Sequence, residues 1–549
     1  MSTETELKFR IPAARLAAVR RAVATRTALI EPLAAVYFDT PGEHLAQARV
    51  ALRLRREAGG WVQTLKAEGA LALQRLEHNV ALADAGAGGG VAGHWRPALD
   101  LSLHAGSEAG AVLARVLSQA PAGGVLVARY ATEVQRTHRV LRFEGAQIEL
   151  ALDEGRIVAG AAVCTVCEIE FELLSGPPQA LLALAARWAA RFGLVLDVRS
   201  KSERGHRLAL GQHSSPPSPA RPLKLSRRAA PGAALAAMLG NALGQVLANA
   251  SPLAELADPG DAADVAESRP GPASDSPPAT PADRQPDPEL LHQLRVGLRR
   301  LRTVLNVFGP LLPTAVTGLA PALTTLFGQL GAARDRDAMA EALWPALRAA
   351  GAPLVVDPVA PTVAMPDPLP VLLASPAVQQ LWLALLGTTL ASLPAAPPVA
   401  ETADPATPPA ATPVASAAPA RLRDAFSAPL DRLLRQVQRD AARFGRLDDA
   451  ARHRLRRRLK RLRYAVELTA ALWPTQPAAR LLRQLAQAQT PLGEVNDCVV
   501  AQAHYRQLAA QDPQAWFAVG WLSARRQALE PGCIAALGRL AECKACWRR

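Results

Sequence analysis

Three charged residues near the start of the chain carry the first chemical hint. Glu4, Glu6 and Lys8 alternate in MSTETELKFR, so in a β-strand all three leave one face while Thr5, Leu7 and Phe9 leave the other. An ordinary half-buried strand turns such a polar face to water. Two carboxylates and an ammonium on one face can instead line a cavity, the carboxylates holding a divalent metal and the lysine meeting an anion. The same period returns downstream, in Arg53 and Arg55, Lys66 at the end of the next strand, and Arg75 with Glu77. Glu168, Glu170 and Glu172 alternate with Ile169, Phe171 and Leu173, mirroring the first strand. A surface with acids on some strands and Arg or Lys on others can fix a phosphate chain and a divalent cation together. Carboxylate oxygens favour hard cations such as Mg²⁺ or Mn²⁺. Guanidinium and ammonium groups give charge-assisted contacts to phosphate oxygens. The chemistry implied is attack of a metal-oriented water on a terminal phosphorus, with the developing oxygen charge held by Arg and Lys. No GxxxxGK[ST] loop occurs, so a P-loop ATPase is not indicated.

A second constellation is helical. His292, Arg295, Arg299 and Arg302 fall within an arc of about 80° at roughly 100° per residue, with Leu294, Leu298, Leu301 and Leu305 as the apolar counterpart. His453, Arg456, Lys460 and Arg463 repeat the row, with Leu455, Leu459, Leu462 and Val466. Each copy is followed at nearly the same distance by a Leu-Gly pair and an Asp: Leu330-Gly331 with Arg334-Asp335, then Leu492-Gly493 with Asn496-Asp497. Two separated agreements indicate a duplicated helical unit. Like charges along one helical stripe repel by ~0.3 kcal/mol per pair. Such a row therefore suggests a groove for a long polyanion. A solvated basic face paired with acids elsewhere is the plainer reading, and few acids share the stripe.

The elements that must position these residues divide the chain in two. Strands are expected at 3–10, 34–40, 48–56, 60–67, 72–80, 127–134, 138–144, 146–153, 157–160 and 164–173, with helices at 12–25 and 177–191. Polar residues directed inward suggest an antiparallel barrel or tunnel over 1–210. Residues 211–224 read as a Ser/Pro-rich linker. From 225 to 548 the pattern is helical, with pseudo-repeats at about 225–353 and 421–548, and Pro/Ala-rich insertions at 256–288 and 354–420. The expected fold is multidomain α+β, an eight-stranded antiparallel β tunnel with flanking helices followed by an all-α, duplicated four-helix-bundle-like domain.

Composition agrees with an anionic partner. The 549 residues carry a net charge of +14, and positive charge comes mostly from arginine, since lysines number only six. Aromatic content of 4% supports phosphate contacts rather than base stacking, so nucleic acid is disfavoured. The CxxC pairs Cys164/Cys167 and Cys543/Cys546 lie far apart and read as reduced, incidental thiols. Acids replace the basic start of a signal peptide, and the apolar 368–394 stretch is broken by prolines, so a cytoplasmic protein without a membrane partner is expected.

Taken together, these residues resemble a two-part family, a CYTH or triphosphate tunnel metalloenzyme domain followed by a CHAD domain. The first resemblance covers about 1–210 and rests on Glu4-x-Glu6-x-Lys8, Arg53-x-Arg55, Lys66, Arg75-x-Glu77, Arg136, Asp153-x-Gly155, Glu168-x-Glu170 and Ser200-Lys201. The second covers about 225–548 and rests on the HxxRVxxRRxR segment at His292–Arg302. The resemblance implies cleavage of inorganic triphosphate, or another triphosphorylated small molecule, using Mg²⁺ or Mn²⁺. It implies metal binding by Glu4, Glu6, Asp153, Glu168 and Glu170. Phosphate binding falls to Lys8, Arg53, Arg55, Lys66, Arg75, Arg136 and Lys201, and the reaction to Glu77 with Lys8, Arg53 and Arg55. Glu77 supports water activation or orients Arg75. For the helical half it implies inorganic polyphosphate bound by His292, Arg295, Arg299, Arg302, His453, Arg456, Lys460 and Arg463, with association to polyphosphate granules. Adenylate cyclase and thiamine-triphosphatase activities use the same tunnel, and a non-catalytic polyphosphate-binding adaptor is the remaining alternative.

Overall fold

The structure is a computed structural model. It describes the chain except residues 1, 58, 70–73, 83–96, 121–123, 213, 259–286, 339–342, 354–367, 391–421 and 549, and the side chains of 2–3, 74 and 332–338. Most of both expected insertions, 256–288 and 354–420, and the Arg334-Asp335 side chains therefore lie outside the described residues. Backbone contacts divide the chain into two units. One comprises 1–218, 247–290 and 368–406, and the other 219–246, 291–367 and 407–549.

The first unit is built on strands β1 (Ser2–Arg10), β2 (Leu29–Asp39), β3 (Ala51–Glu57), β4 (Gly60–Glu68), β5 (Gln74–Leu82), β6 (Val127–Phe143), β7 (Ala146–Ala159), β8 (Ala162–Ser175) and β9 (Val195–Leu196). Eight of them close a ring in the order β1-β5-β4-β3-β2-β6-β7-β8, and the two-residue β9 adds to β1. All pairings are antiparallel, with Glu4 opposite Arg75 on one side of β1 and Lys8 opposite Glu170 on the other. The first strand therefore closes the barrel.

Two long strands differ from expectation. The stretches 127–134 and 138–144 are one strand, as are 146–153 and 157–160. The polar runs Gln135-Arg136-Thr137 and Glu154-Gly155-Arg156 look like breaks in sequence, but both stay in the ladder: Gln135, Arg136 and Thr137 pair with Glu154, Asp153 and Leu152, and Gly155 and Arg156 pair with Val134 and Glu133. Here the inner face is the polar one, so a charged residue does not end the strand. Gly155 has a specific reason: a Cβ there would lie 2.0 Å from the Glu133 carbonyl oxygen.

Hydrophobic cover is on the outside. Phe9 of β1 and Phe171 of β8 meet edge to face at 5.6 Å, and Phe171 meets Trp188 of the covering helix Pro178–Phe192 at 5.9 Å. Leu52 and Leu65 on the outer face of β3 and β4 pack on Leu113 and Val116 of the helix Glu108–Ser118. Inside, one end of the barrel is filled by an apolar cluster of Tyr37, Tyr130, Val134, Ile157 and Val166, with Leu208 of the helix Lys201–Ala209 against it.

The second unit is mostly α-helical. Its elements include α1 (Pro288–Val307, from Leu291), α2 (Ala320–Ala338), α3 (Leu422–Ala442), α4 (Asp449–Thr469), α5 (Thr475–Leu508) and α6 (Ala515–Ala541). The apolar stripes of α1 and α4, including Leu294, Leu298, Leu301, Leu455, Leu459 and Leu462, are fully buried. Helices α3 to α6 pack in a ring, α3 on α4, α4 on α5, α5 on α6 and α6 on α3. Among the described residues a second complete four-helix ring is not seen, so the duplication is visible in the motifs and not as a repeated bundle. The helix Pro231–Glu255 is long and apolar enough to cross a membrane, but 72% of its apolar window is buried within the protein, as in a core helix.

One buried ion network links the segment just after β9 to the end of the helix Pro231–Glu255. Arg199 donates to both carboxylate oxygens of Asp197 at 2.9 and 2.6 Å, and to Glu255 at 2.5 Å. Burial pushes the Asp197 carboxyl up, but Arg199 outweighs it and holds the group well below the usual range. A depressed carboxyl stabilises the fold fully above its unfolded value, about pH 4, and that contribution is lost as pH falls through the folded value. Replacing Asp197 by Asn should lower the unfolding free energy by about 3 kcal/mol, because Arg199 stays buried without its main partner. A denaturant midpoint unchanged from wild type would count against this pairing.

Candidate functional site

Strand alternation turns Glu4, Glu6, Lys8, Arg53, Arg55, Lys66, Arg75, Glu77, Arg136, Asp153, Glu168 and Glu170 to the inner face of the barrel, as the cross-strand registers require. Lys201 joins them from the first turn of the helix Lys201–Ala209, whose N-cap is Ser200. All thirteen sequence candidates of the N-terminal half thus sit in or against one interior. They separate into two groups.

The first group centres on Lys201. Its ammonium lies 2.6 Å from Asp153, 2.5 Å from Glu168 and 2.9 Å from Glu170. Arg136 chelates Asp153 at 2.7 and 2.6 Å and reaches Glu170 at 2.5 Å. Burial alone would discharge Lys201, but the three carboxylates outweigh it and raise its pKa above the ordinary lysine range. Burial also works against ionised Asp153 and Glu170. Lys201 and Arg136 more than compensate, so both acids are held below their ordinary values. Lys8 lies 3.9 Å from Glu168 and donates to the Arg199 carbonyl. Burial, its largest influence, depresses its pKa.

The second group centres on Lys66, 2.7 Å from Glu4 and 3.3 Å from Glu77. Arg75 lies 3.6 Å from Glu6. Burial pushes the Glu4 carboxyl up to about 8 in spite of Lys66, whereas Lys66, a hydrogen bond from Glu4 and another from Asn79 overcome burial at Glu77 and bring it down to about 2. Arg53 donates to the Tyr37 hydroxyl at 3.1 Å, and Arg55 to Glu57 at 2.6 Å.

The oxygens of Asp153, Glu168 and Glu170 lie within 4.8 Å of one another, close enough to hold one ion. Three carboxylates suit a hard divalent cation. Glu4 and Glu6 are not part of that three-acid cluster; they face it on the same inner surface.

Arg204 and Tyr37 escaped the sequence reading, and Glu172 was placed on the acidic row there but given no role. Arg204 donates to Glu168. It lies one helical turn after Lys201, a spacing that could have flagged it. Glu172, opposite Glu6, has its carboxyl pushed up to about 7, first by burial. Tyr37 carries no charge and no motif, so nothing in sequence pointed to it.

In the helical unit Arg295 is buried and donates to the Leu330 carbonyl. Arg295, Arg299 and Arg302 all stand over the Phe327 ring. His292 is half-buried on the same helix. In the second copy His453 hydrogen-bonds Asn496 at 2.8 Å, Arg456 lies 3.4 Å from Asp497, and Arg463 donates to Glu467 at 2.8 Å and Gln489 at 3.3 Å. Burial, with Arg299 and Arg456 next, pulls Lys460 down to about 7. The Leu-Gly pairs play one part in both copies: a Cβ at Gly331 would lie 3.6 Å from Arg295, and one at Gly493 would lie 3.8 Å from Arg456. Arg300 of the signature is buried and turned away from the row, donating to Asn241 at 2.7 Å and Gln245 at 3.1 Å.

A closed antiparallel barrel lined by paired acids and cations, followed by a basic helical region, is the class of protein these features define. Residues 2–205 match the CYTH domain and residues 279–506 the CHAD domain, so the chain is a CYTH–CHAD domain protein. An inorganic triphosphatase of Haemophilus influenzae is 29% identical over 180 residues, covering 32% of this chain and 46% of that one. The chain thus spans less than half the length of this curated relative. Among solved structures, the CHAD domain of the plant Ricinus communis is similar with 25% identity and a TM-score of 0.41, covering 61% of this chain and 99% of its own. The PH1819 protein of Pyrococcus horikoshii has 20% identity and a TM-score of 0.23, covering 37% and 97%.

The three-acid cluster makes a direct prediction. Calorimetric titration with Mn²⁺ should show one divalent-ion site per chain, weakened at least about tenfold by Glu170→Gln, which keeps the shape but removes a charged ligand. Equal affinity in that variant would remove Glu170 from the metal group.

Proposed function

We propose that the barrel hydrolyses inorganic triphosphate to diphosphate and phosphate with Mg²⁺ or Mn²⁺, and that the basic helical row binds inorganic polyphosphate. The observation that carries the first half is the juxtaposition of Asp153, Glu168 and Glu170 with Lys201 and Arg136 in one buried interior. Similarity of the N-terminal region to an inorganic triphosphatase supports the choice of substrate.

In this reading Asp153, Glu168 and Glu170 hold the metal, with Glu4 and Glu6 facing them. A bound divalent cation supplies Lewis acidity and a bound water at that position. The protein's own cations do the rest. Lys8, Lys66, Lys201, Arg53, Arg55, Arg75 and Arg136 offer donors to the oxygens of a phosphate chain, and those nearest the leaving group stabilise its charge. Each cation with a carboxylate partner is already oriented before substrate arrives, so little reorganisation is needed. Glu77 lies against Lys66, while Arg75 pairs with Glu6. That favours Glu77 as the proton acceptor over a role in orienting Arg75.

The hydrolysis is tested by phosphate release from inorganic triphosphate with added Mg²⁺ or Mn²⁺. Glu4→Ala with Glu6→Ala should reduce it at least about a hundredfold. Undiminished release would remove both residues from the site, and cyclic AMP formed from ATP would instead identify a cyclase.

For the helical row, Lys460 sets a pH dependence. Its folded pKa is about 7 without ligand, and a bound polyanion favours the ammonium. Above pH 7 binding must therefore take up a proton. Affinity for long-chain polyphosphate should fall as pH rises from 6 to 9, by up to about tenfold per pH unit well above 7. Lys460→Arg, charged throughout, should flatten the profile. An unchanged slope would exclude Lys460 from the contact.

A further inference from the structure

Among the described strands β9 ends the sheet, beside β1, so its outer edge offers backbone groups to whatever covers it. Side chains from far along the chain take the place of a further strand. The Leu196 N–H donates to Gln379 of the helix Pro376–Leu390 at 2.8 Å, and the Val198 N–H to the Ser251 hydroxyl at 3.3 Å. That hydroxyl donates in turn to the Leu196 carbonyl at 3.4 Å. Gln379 is buried, and its amide nitrogen is fixed on the Leu373 carbonyl at 2.7 Å. One turn after Ser251, Glu255 accepts from the buried Arg199 at 2.5 Å, opposite the grip of Asp197.

The segment held in this way aims two cations of the barrel. The Lys8 ammonium donates to the Arg199 carbonyl, and the Lys8 carbonyl accepts from the Asp197 N–H at 2.9 Å. Ser200 then caps the next helix through the Glu203 N–H at 3.0 Å, and Lys201 opens that helix with its ammonium on Asp153, Glu168 and Glu170. Ser251, Glu255 and Gln379 all lie beyond residue 205, where the CYTH match ends, yet in the same compact unit as the barrel. A misplacement of about 1 Å caused far from the chemistry can cost a reaction about a hundredfold.

We propose that Glu255 and Gln379 are positioning residues of the barrel site, holding the 195–201 segment so that Lys8 and Lys201 point into the interior. The effect on rate rests on the hydrolysis reading given above; the placement of the two lysines does not. The chain has only six lysines, so trace acetylation of the full chain with acetic anhydride, read by peptide mass spectrometry, reports each one. In the wild type Lys8 and Lys201 should label at least about tenfold more slowly than the exposed Lys224 and Lys544. Glu255→Ala should speed labelling of Lys8 and Lys201 about fivefold and lower kcat/KM for inorganic triphosphate about tenfold. Lys66, anchored separately on Glu4 and Glu77, should keep its wild-type rate. Glu255→Gln retains an acceptor for Arg199 and should stay within about twofold of wild type in both measurements. A purely structural role would lower the unfolding midpoint while leaving Lys8 and Lys201 protected, or would expose Lys66 along with them. Either result overturns the proposal. Should Glu255→Ala fail to fold, Gln379→Leu, which removes the acceptor of the Leu196 N–H, decides on the same lysines. Wild-type protein without triphosphate turnover overturns the hydrolysis reading, and the labelling still judges the positioning.

Discussion

The N-terminal unit depends on one requirement, that the charges gathered in the barrel be balanced by opposite charges beside them, as those of Lys201, Arg136 and Lys66 are. A lysine ammonium cannot stay protonated in a low-dielectric interior by itself. Lys201 does so because Asp153, Glu168 and Glu170 converge on it from β7 and β8. Asp153 and Glu170 are in turn held below their ordinary carboxylate values because Lys201 and Arg136 are there. The arrangement explains why the apolar residues of β1 and β8 face outward. With the interior given to paired ions, Phe9, Phe171 and Trp188 must build the core between sheet and helix.

The helical unit handles charge in the opposite way. Its basic row has few acids, so the cost appears as depressed pKa values at Lys460 and Arg302, and as guanidinium groups resting on an aromatic ring. Paired charges make an interior that is ready without ligand. Under-paired charges make a surface that gains from one. A single chain uses both.

Much of the barrel could be read from sequence because period-two alternation is a local signal. It placed Glu4, Glu6 and Lys8, and later Glu168 and Glu170, without reference to partners. It was weaker at β6 and β7, where Arg136 and Gly155 look like breaks until the inner face is known to be polar. Tyr37 and Phe327 were out of reach because their roles come from what lies beside them, on another strand or helix. The repeat illustrates both limits. The matching His, Arg and Leu-Gly positions were visible, and Gly331 and Gly493 do sit against equivalent arginines. The Phe327 ring beneath Arg295, Arg299 and Arg302 is seen only in the structure.

The position of β1 in the ring has a consequence for how the chain folds. Its pairs with β5 and β8 join residues far apart in sequence, such as Glu6 with Glu172. Such contacts carry a high loop-closure entropy and form slowly. A chain made from its N-terminus can pair the first half of this strand with β5 early, but carries Glu6–Arg10 without their β8 partners until β8 has emerged, with Leu7 and Phe9 uncovered in the meantime. The last ladder to zip is then the one that completes the charged interior. Assembly of the barrel and acquisition of its chemistry become a single late event, and a half-folded chain cannot be a half-active one.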